Sequence, residues 1–382
     1  MHENTIIRTI LWNIRDSMFQ SDVIIIVWPR QVGKTTLLQS LLEDIQQEDI
    51  IRFNGDYIGD RRDLQFRSEQ EMGMMFSRYT YIVIDEAQKI ENIGNILKSL
   101  RDTYGKTKQI LVTGSSTLGL LDQTTEPLTG RKKVFHLYPI AFSELATTLW
   151  LRDARVRLEE TLLYGMYPQV LSYSDNVAKK EKLQDIVSGQ LYRDILEFQD
   201  IKNPDILIKL LELLAIRIGS EVSYHALAQL LGVSQQTVER YIDLLEKSFV
   251  IFRLRPYMTN KSKEVTKMKK IYFYDLGIRN TLLRSFQPIS LRTDVGALWE
   301  NYYILERRKN IEYSRTGVVQ HFWRTKSQEE IDYLEVSDHI ISGYECKWQE
   351  QKYTPPKAFT WAYPGVPVEL IHHENYYFSL IG

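Results

Sequence analysis

The segment from Val23 to Thr36 constrains this chain most. An aliphatic run, Val23–Val27, leads into Trp28-Pro29-Arg30-Gln31-Val32-Gly33-Lys34-Thr35-Thr36, and a helical pattern continues from Lys34 to Gln46. A buried strand, a loop ending in Gly-Lys-Thr and a helix together follow the phosphate-loop pattern of Gly, four residues, Gly, Lys, Ser/Thr. In that pattern, backbone N–H groups at the helix start face phosphate oxygens, and the helix dipole favours their negative charge. The expectation is that Pro29, Arg30, Gln31, Val32, Gly33, Lys34, Thr35 and Thr36 cradle the phosphates of ATP. Gly33 would let the backbone approach closely. Lys34 would meet the β- and γ-phosphates, and the Thr35 hydroxyl would hold magnesium. Trp28 stands where the first glycine of the pattern belongs. Glycine there permits a tight turn that a bulky residue resists, so two alternatives stand beside turnover. One is a degenerate loop; the other is a nucleotide sensor with negligible hydrolysis.

Downstream, Tyr81-Ile82-Val83-Ile84 ends in Asp85-Glu86. Such a run reads as a buried strand reaching the carboxyl edge of a sheet, where ligands of open α/β sheets bind. Asp85 is the candidate second magnesium ligand, and Glu86 the candidate base for the attacking water. Ile110–Thr113 reads as a further strand, after which Ser115, with Ser116 beside it, is placed to bond the γ-phosphate or the water. Arg131, before the strand Lys133–Tyr138, is a candidate for neutralising transition-state charge. It could act in its own chain or across the boundary to a second copy, which would make the protein a homo-oligomer. Arg193 is a weaker candidate for the same role.

The strands Val23–Val27, Ile50–Asn54, Tyr81–Asp85, Ile110–Thr113 and Lys133–Tyr138 alternate with helical stretches such as Ile93–Tyr104. That alternation predicts an α/β layer with a parallel sheet. The segment after it is helical, with a break at Gly165–Pro168. Val222–Ile242 reads as helix-turn-helix, with Gly232 at the turn and Ser234 capping the second helix. Two strands follow, Val250–Pro256 and Lys270–Tyr274. Arg253, Arg255, Lys261, Lys263, Lys267, Lys269 and Lys270 lie within and between them against one acid, Glu264. This predicts a winged helix with a basic wing. In one reading Gln235, Gln236, Thr237 and Arg240 enter the major groove of double-stranded DNA while Lys261, Lys263 and Lys267 meet phosphates. In the other the module contacts protein.

The aromatic-rich C-terminal part carries Glu300 in a helical pattern, then Asp332 on one strand and Glu345-Cys346-Lys347 on the next. Strand alternation puts Glu345 and Lys347 on one face. With Asp332 and Glu345 as magnesium ligands, Lys347 positioning water and Glu300 adding a third carboxylate, the set could cleave phosphodiesters. A scaffold holding a residual ion-paired cluster is the alternative.

These motifs in order resemble the bacterial and archaeal AAA+-like ATPases that carry a C-terminal domain of unknown function. The resemblance rests on Pro29–Leu38, Ile84–Gln88, Thr113–Ser116, Leu128–Arg131, Leu137–Pro139, Tyr164–Pro168, Ile271–Gly277 and Gly296–Asn301, and so spans nearly the whole chain. It implies ATP and magnesium as cofactors. The expected fold is an N-terminal P-loop ATPase domain with a parallel sheet (1–142), a helical lid (143–204), a winged helix (205–280) and an α/β restriction-endonuclease-like domain (281–382). The formal net charge of −1 argues against a protein that coats nucleic acid indiscriminately. A single cysteine, Cys346, excludes an internal disulfide. The longest aliphatic run falls far short of the ~20 residues that cross a bilayer, and no signal-peptide pattern opens the chain. The cytoplasm is the expected location, with no membrane partner.

Overall fold

The inner strands of the N-terminal part are short, apolar and largely covered on both faces, which is what a parallel sheet between helices requires. In the computed structural model, which describes residues 6–20, 23–29, 31–65, 68–114, 120, 124, 127–191, 201, 203–257, 269–338 and 340–381, they are β1 (Val23–Val27), β2 (Ile50–Asn54), β3 (Tyr81–Asp85), β4 (Gln109–Gly114) and β5 (Lys132–His136). Every residue of β1 and β4 is buried. The strands form one parallel sheet in the order β2-β3-β4-β1-β5. The helices are α1 (Ile10–Arg15), α2 (Lys34–Leu42), α3 (Ile58–Asp63), α4 (Glu69–Phe76) and α5 (Ile93–Tyr104). In α5, Ile93, Ile96, Leu97 and Leu100 are buried at helical spacing, so one face packs and the other is wet. Because β3, β4 and β1 are neighbours in register, their carboxyl ends share one edge. The loop after β1, Asp85 and Thr113 meet there. This unit comprises Ile7–Tyr138 with Lys247–Phe249.

The remaining chain, Pro139–Glu246 and Val250–Gly382, forms a second unit. Its first helices are α6 (Phe142–Leu149), α7 (Leu151–Val156), α8 (Leu158–Tyr164), α9 (Pro168–Ser172) and α10 (Asn176–Asp185). Next come α11 (Pro204–Ile216), β6 (Glu221–Val222), α12 (Tyr224–Leu231), α13 (Gln235–Lys247), β7 (Ile251–Pro256), β8 (Lys269–Phe273) and α14 (Leu276–Leu282). The C-terminal elements are α15 (Val295–Ser314), β9 (Val319–Arg324), β10 (Glu330–Ser337), β11 (Ile340–Cys346), α16 (Lys357–Ala362), β12 (Val368–Ile371) and α17 (Tyr377–Leu380).

Two of the quoted motifs prove to be one joint. Buried Asp275 accepts N–H bonds from Met166 (2.7 Å) and Ile278 (3.1 Å). Burial raises its carboxyl to about 6, against the pull of those bonds. Gly165, at φ 75°, leaves the space the carboxylate fills; a Cβ there would lie 2.0 Å from Asp275 Oδ1. Asn280 Nδ2 donates to the carbonyls of Leu162 and Leu163, each at 2.9 Å. Tyr164–Pro168 and Ile271–Gly277 therefore tie α8 to α14.

The boundary between 205–280 and 281–382 is crossed by a single sheet, ordered β12-β11-β10-β9-β7-β8-β6. The hairpin β7–β8 joins the C-terminal strands through a parallel pairing of β7 with β9, with Arg255 opposite His321 and Pro256 opposite Phe322. Gly232 ends α12 in the left-handed conformation at φ 68°, and the Ser234 hydroxyl accepts the Thr237 N–H at 3.1 Å. Among the described residues no helix is long and apolar enough to cross a membrane.

Candidate functional site

At the carboxyl edge of the parallel sheet, α2 begins at Lys34 directly after Gly33, whose φ of 96° turns the chain into the helix. Lys34 Nζ reaches across to β3, lying 2.8 Å from Asp85 Oδ1 and forming a short ion pair with Glu86. Burial works against the ammonium, but Glu86 and Asp85 outweigh it and raise Lys34 above the ordinary lysine value. Asp85 Oδ1 also accepts the Thr113 hydroxyl from β4 and, at 3.0 Å, the Glu86 N–H. Gln88 Nε2 donates to Glu86 Oε2 at 2.8 Å. Lysine, two acids, a threonine and a glutamine thus converge from three segments. Thr35 and Thr36 are exposed on the first turn of α2, where the unpaired N–H groups of a helix start suit an anion.

Trp28 does not obstruct this arrangement through its backbone. Among the described residues of the loop, those in the left-handed region are Gln31, at φ 62°, and Gly33; Trp28 is not among them. Its indole is only 2% exposed and lies beneath the lysine, with Lys34 Nζ 5.3 Å from the ring centroid. The indole is therefore both core and floor, and the positive charge above it is favoured by the ring's quadrupole. Trp28→Gly is accordingly expected to lower stability by about 3–4 kcal/mol through the cavity it leaves, measured by chemical denaturation.

Several sequence candidates lie elsewhere. Arg131 immediately precedes β5, so in a parallel sheet it sits at the amino edge, opposite Lys34. Its guanidinium pairs with Asp102 at 3.0 Å. The structure thus corrects the placement of Arg131 beside the phosphates in its own chain. Arg30, Ser115, Ser116, Arg193, Lys261, Lys263 and Lys267 lie outside the described residues. Thr113 and Gln88 lie within the quoted motifs, but neither is assigned a role from the sequence. Short polar side chains at the ends of β4 and just after β3 were the available signal.

In the second unit, Gln235, Gln236 and Arg240 are exposed on α13, while Thr237 is half-buried and bonds Ser234. Two supposed wing cations are not free. Arg253 pairs with Asp243 at 2.6 Å and with Glu246. Lys270 is buried in β8, where its ammonium lies 2.8 Å from Glu300, 3.7 Å from Asp332 and in contact with Glu330. Glu300 also accepts the Tyr272 hydroxyl at 2.6 Å. Burial, chiefly, raises Glu300 to about 7 even with Lys270 beside it. Lys347 lies 2.7 Å from Glu345 and 3.8 Å from Asp332, and the Cys346 N–H donates to Asp332 Oδ2 at 3.0 Å.

Of the expected magnesium set, Asp332, Glu345 and Lys347 meet where β10 pairs with β11, and Glu300 approaches from α15. Lys270, from β8 in the same sheet, sets its ammonium between Glu300, Glu330 and Asp332. Among the described residues, no group of three or more His, Cys, Asp or Glu side chains is arranged to hold a metal.

Residues 20–146 match the family model described as AAA domain. Residues 155–288 and 295–374 match two models described as domains of unknown function, DUF8612 and DUF4143. An uncharacterized protein of Mycobacterium tuberculosis is 26% identical over 343 residues, covering 87% of this chain and 72% of that protein. One from Methanocaldococcus jannaschii is 23% identical over 346 residues, covering 84% of this chain and 74% of its own. Among solved structures, a Walker-type ATPase of Pyrococcus abyssi aligns with a TM-score of 0.50 at 14% identity, over 74% of this chain and 97% of that one. The last likeness is one of fold.

Proposed function

We propose that this chain, an AAA-type P-loop protein with a C-terminal DUF4143 domain, binds ATP with magnesium at the edge formed by β1, β3 and β4 and hydrolyses it. The observation that carries the reading is the convergence of Lys34 with Asp85 and Glu86, 2.8 Å from the first and in a short ion pair with the second. A strand-loop-helix lysine facing two acids on a nearby strand is the donor set that a metal–triphosphate needs.

In this reading Thr35 and Asp85 would hold the magnesium ion, whose positive charge would offset that of the phosphates. Lys34 exchanges its acids for phosphate oxygens, which present equivalent negative charge. Thr113 keeps Asp85 oriented through its hydroxyl. Gln88 holds one oxygen of Glu86, so the other is directed once Lys34 leaves it, and Glu86 takes the proton of the attacking water. The buried Trp28 ring keeps the lysine stem from collapsing into the core.

Glu86→Gln tests the base. It keeps the side chain's size but cannot accept the proton, so turnover of MgATP is expected to fall about 100-fold or more, with nucleotide affinity changed little. Phosphate release and a binding titration on the same preparation check this. Unchanged turnover would remove Glu86 from the chemistry.

A DNA-contacting role draws support from the exposed Gln235, Gln236, Arg240 and Arg255, and loses the support of Arg253 and Lys270. It ranks behind the ATP reading. Metal-dependent cleavage forms no part of the proposal.

A further inference from the structure

We propose that Arg8 is a positioning residue of the phosphate loop, fixing the direction of the backbone N–H groups that meet the nucleotide. This rests on the ATP reading above. Arg8 is 6% exposed. Its Nη1 donates to the carbonyl of Val32 at 2.8 Å, and its Nη2 donates to the carbonyl of Tyr138. One planar fork thus ties the middle of the loop to the chain leaving β5.

The consequence follows from peptide geometry. In a planar trans peptide the carbonyl of one residue and the N–H of the next point in opposite directions. Holding the Val32 carbonyl toward Arg8 therefore turns the Gly33 N–H away from Arg8. That N–H belongs to the set at the start of α2 through which a helix N-terminus receives an anion.

The loop needs such a restraint. Gln31, at φ 62°, and Gly33, at φ 96°, flank Val32 in the left-handed region. For Gln31, a residue with a Cβ, that conformation is sparsely populated and persists only when the surroundings fix it. The Val32 side chain, fully buried, and the Arg8 fork supply two anchors on the residue between the two turns. Arg8 acts through the backbone and not on the phosphates.

The test compares wild type with Arg8→Met, which keeps the stem and removes both donors, and with Arg8→Lys, which keeps charge and one donor head. Hydrogen–deuterium exchange of the segment 27–37 is read without nucleotide, and MgATP affinity is titrated in parallel. In Arg8→Met the loop amides are expected to exchange about ten-fold faster, and the MgATP dissociation constant to rise by about ten-fold, the scale of a charge-assisted hydrogen bond. Exchange in β3 should be unchanged, and Arg8→Lys should fall between the two. Equal loop exchange in all three proteins would overturn the proposal. So would acceleration spread evenly over the loop and β3, which marks loss of the fold and not loss of positioning. If wild type itself fails to bind ATP, the ATP reading fails, while the exchange comparison still decides the role of Arg8. Should Arg8→Met not fold, Arg8→Lys carries the comparison by the same criteria.

Discussion

Lys34→Ala is expected to lower kcat/KM for ATP hydrolysis by at least about 1,000-fold, combining lost binding with lost stabilisation of the transferred charge. The expectation rests on where Lys34 sits. Its ammonium is the cation that the structure places between the helix start and both acids, 2.8 Å from Asp85. Removing it leaves Asp85 and Glu86 with no lysine between them, so their charge would oppose that of a triphosphate. Folding should survive, because Lys34 is only part-buried and the helix that carries it is anchored by Leu37, Leu41 and Leu42. Phosphate release at saturating and subsaturating ATP, with thermal unfolding as the control, separates the two effects. Wild-type turnover in Lys34→Ala would remove the phosphate chemistry from this lysine.

The second large effect concerns stability. Lys270→Met is expected to cost about 5 kcal/mol, the upper end for breaking a buried ion pair, because it strands several acids at once. Lys270 is 2% exposed and is shared by Glu300, Glu330 and Asp332. Those acids raise its ammonium above the ordinary lysine value although burial opposes the charge. Methionine fills similar volume, so the loss would be electrostatic and not a cavity. Lys347→Met is the control. Its side chain is 39% exposed, and an exposed pair contributes about 1 kcal/mol or less. Adding Glu300→Gln to Lys270→Met should recover part of the loss. Urea denaturation of the four proteins measures this. Equal destabilisation by the two single lysine substitutions would mean that Lys270 does not hold the cluster together.

What the sequence made legible was what lies close along the chain. The strand, loop and Gly-Lys-Thr follow one another directly, and the apolar run before Asp85-Glu86 announces its own strand end. Arg8 was not legible, because its partners lie 24 and 130 residues away and their carbonyls carry no side-chain signal. Lys270 was misassigned for a related reason. Along the chain it ends a run of lysines, but its acids come 30 and more residues later, Glu300 on α15 and Glu330 and Asp332 on β10. Only the pairing of β7 with β9 shows that the hairpin belongs to the sheet of β10. A residue that precedes a strand lies at the opposite edge from one that follows a parallel neighbour, and the sequence already placed Arg131 so. Trp28 was judged by the motif's first glycine, whereas the left-handed turns fall three and five residues later, at Gln31 and Gly33.

The central claim is that this cradle, with an indole where glycine is usual, retains MgATP. Calorimetric titration of the purified wild-type chain with ATP, in the presence and absence of magnesium, tests it most directly. The account predicts saturable binding of one ATP per chain that weakens when magnesium is withheld, since Thr35 and Asp85 then have no ion to hold. Absence of saturable binding under both conditions would contradict it.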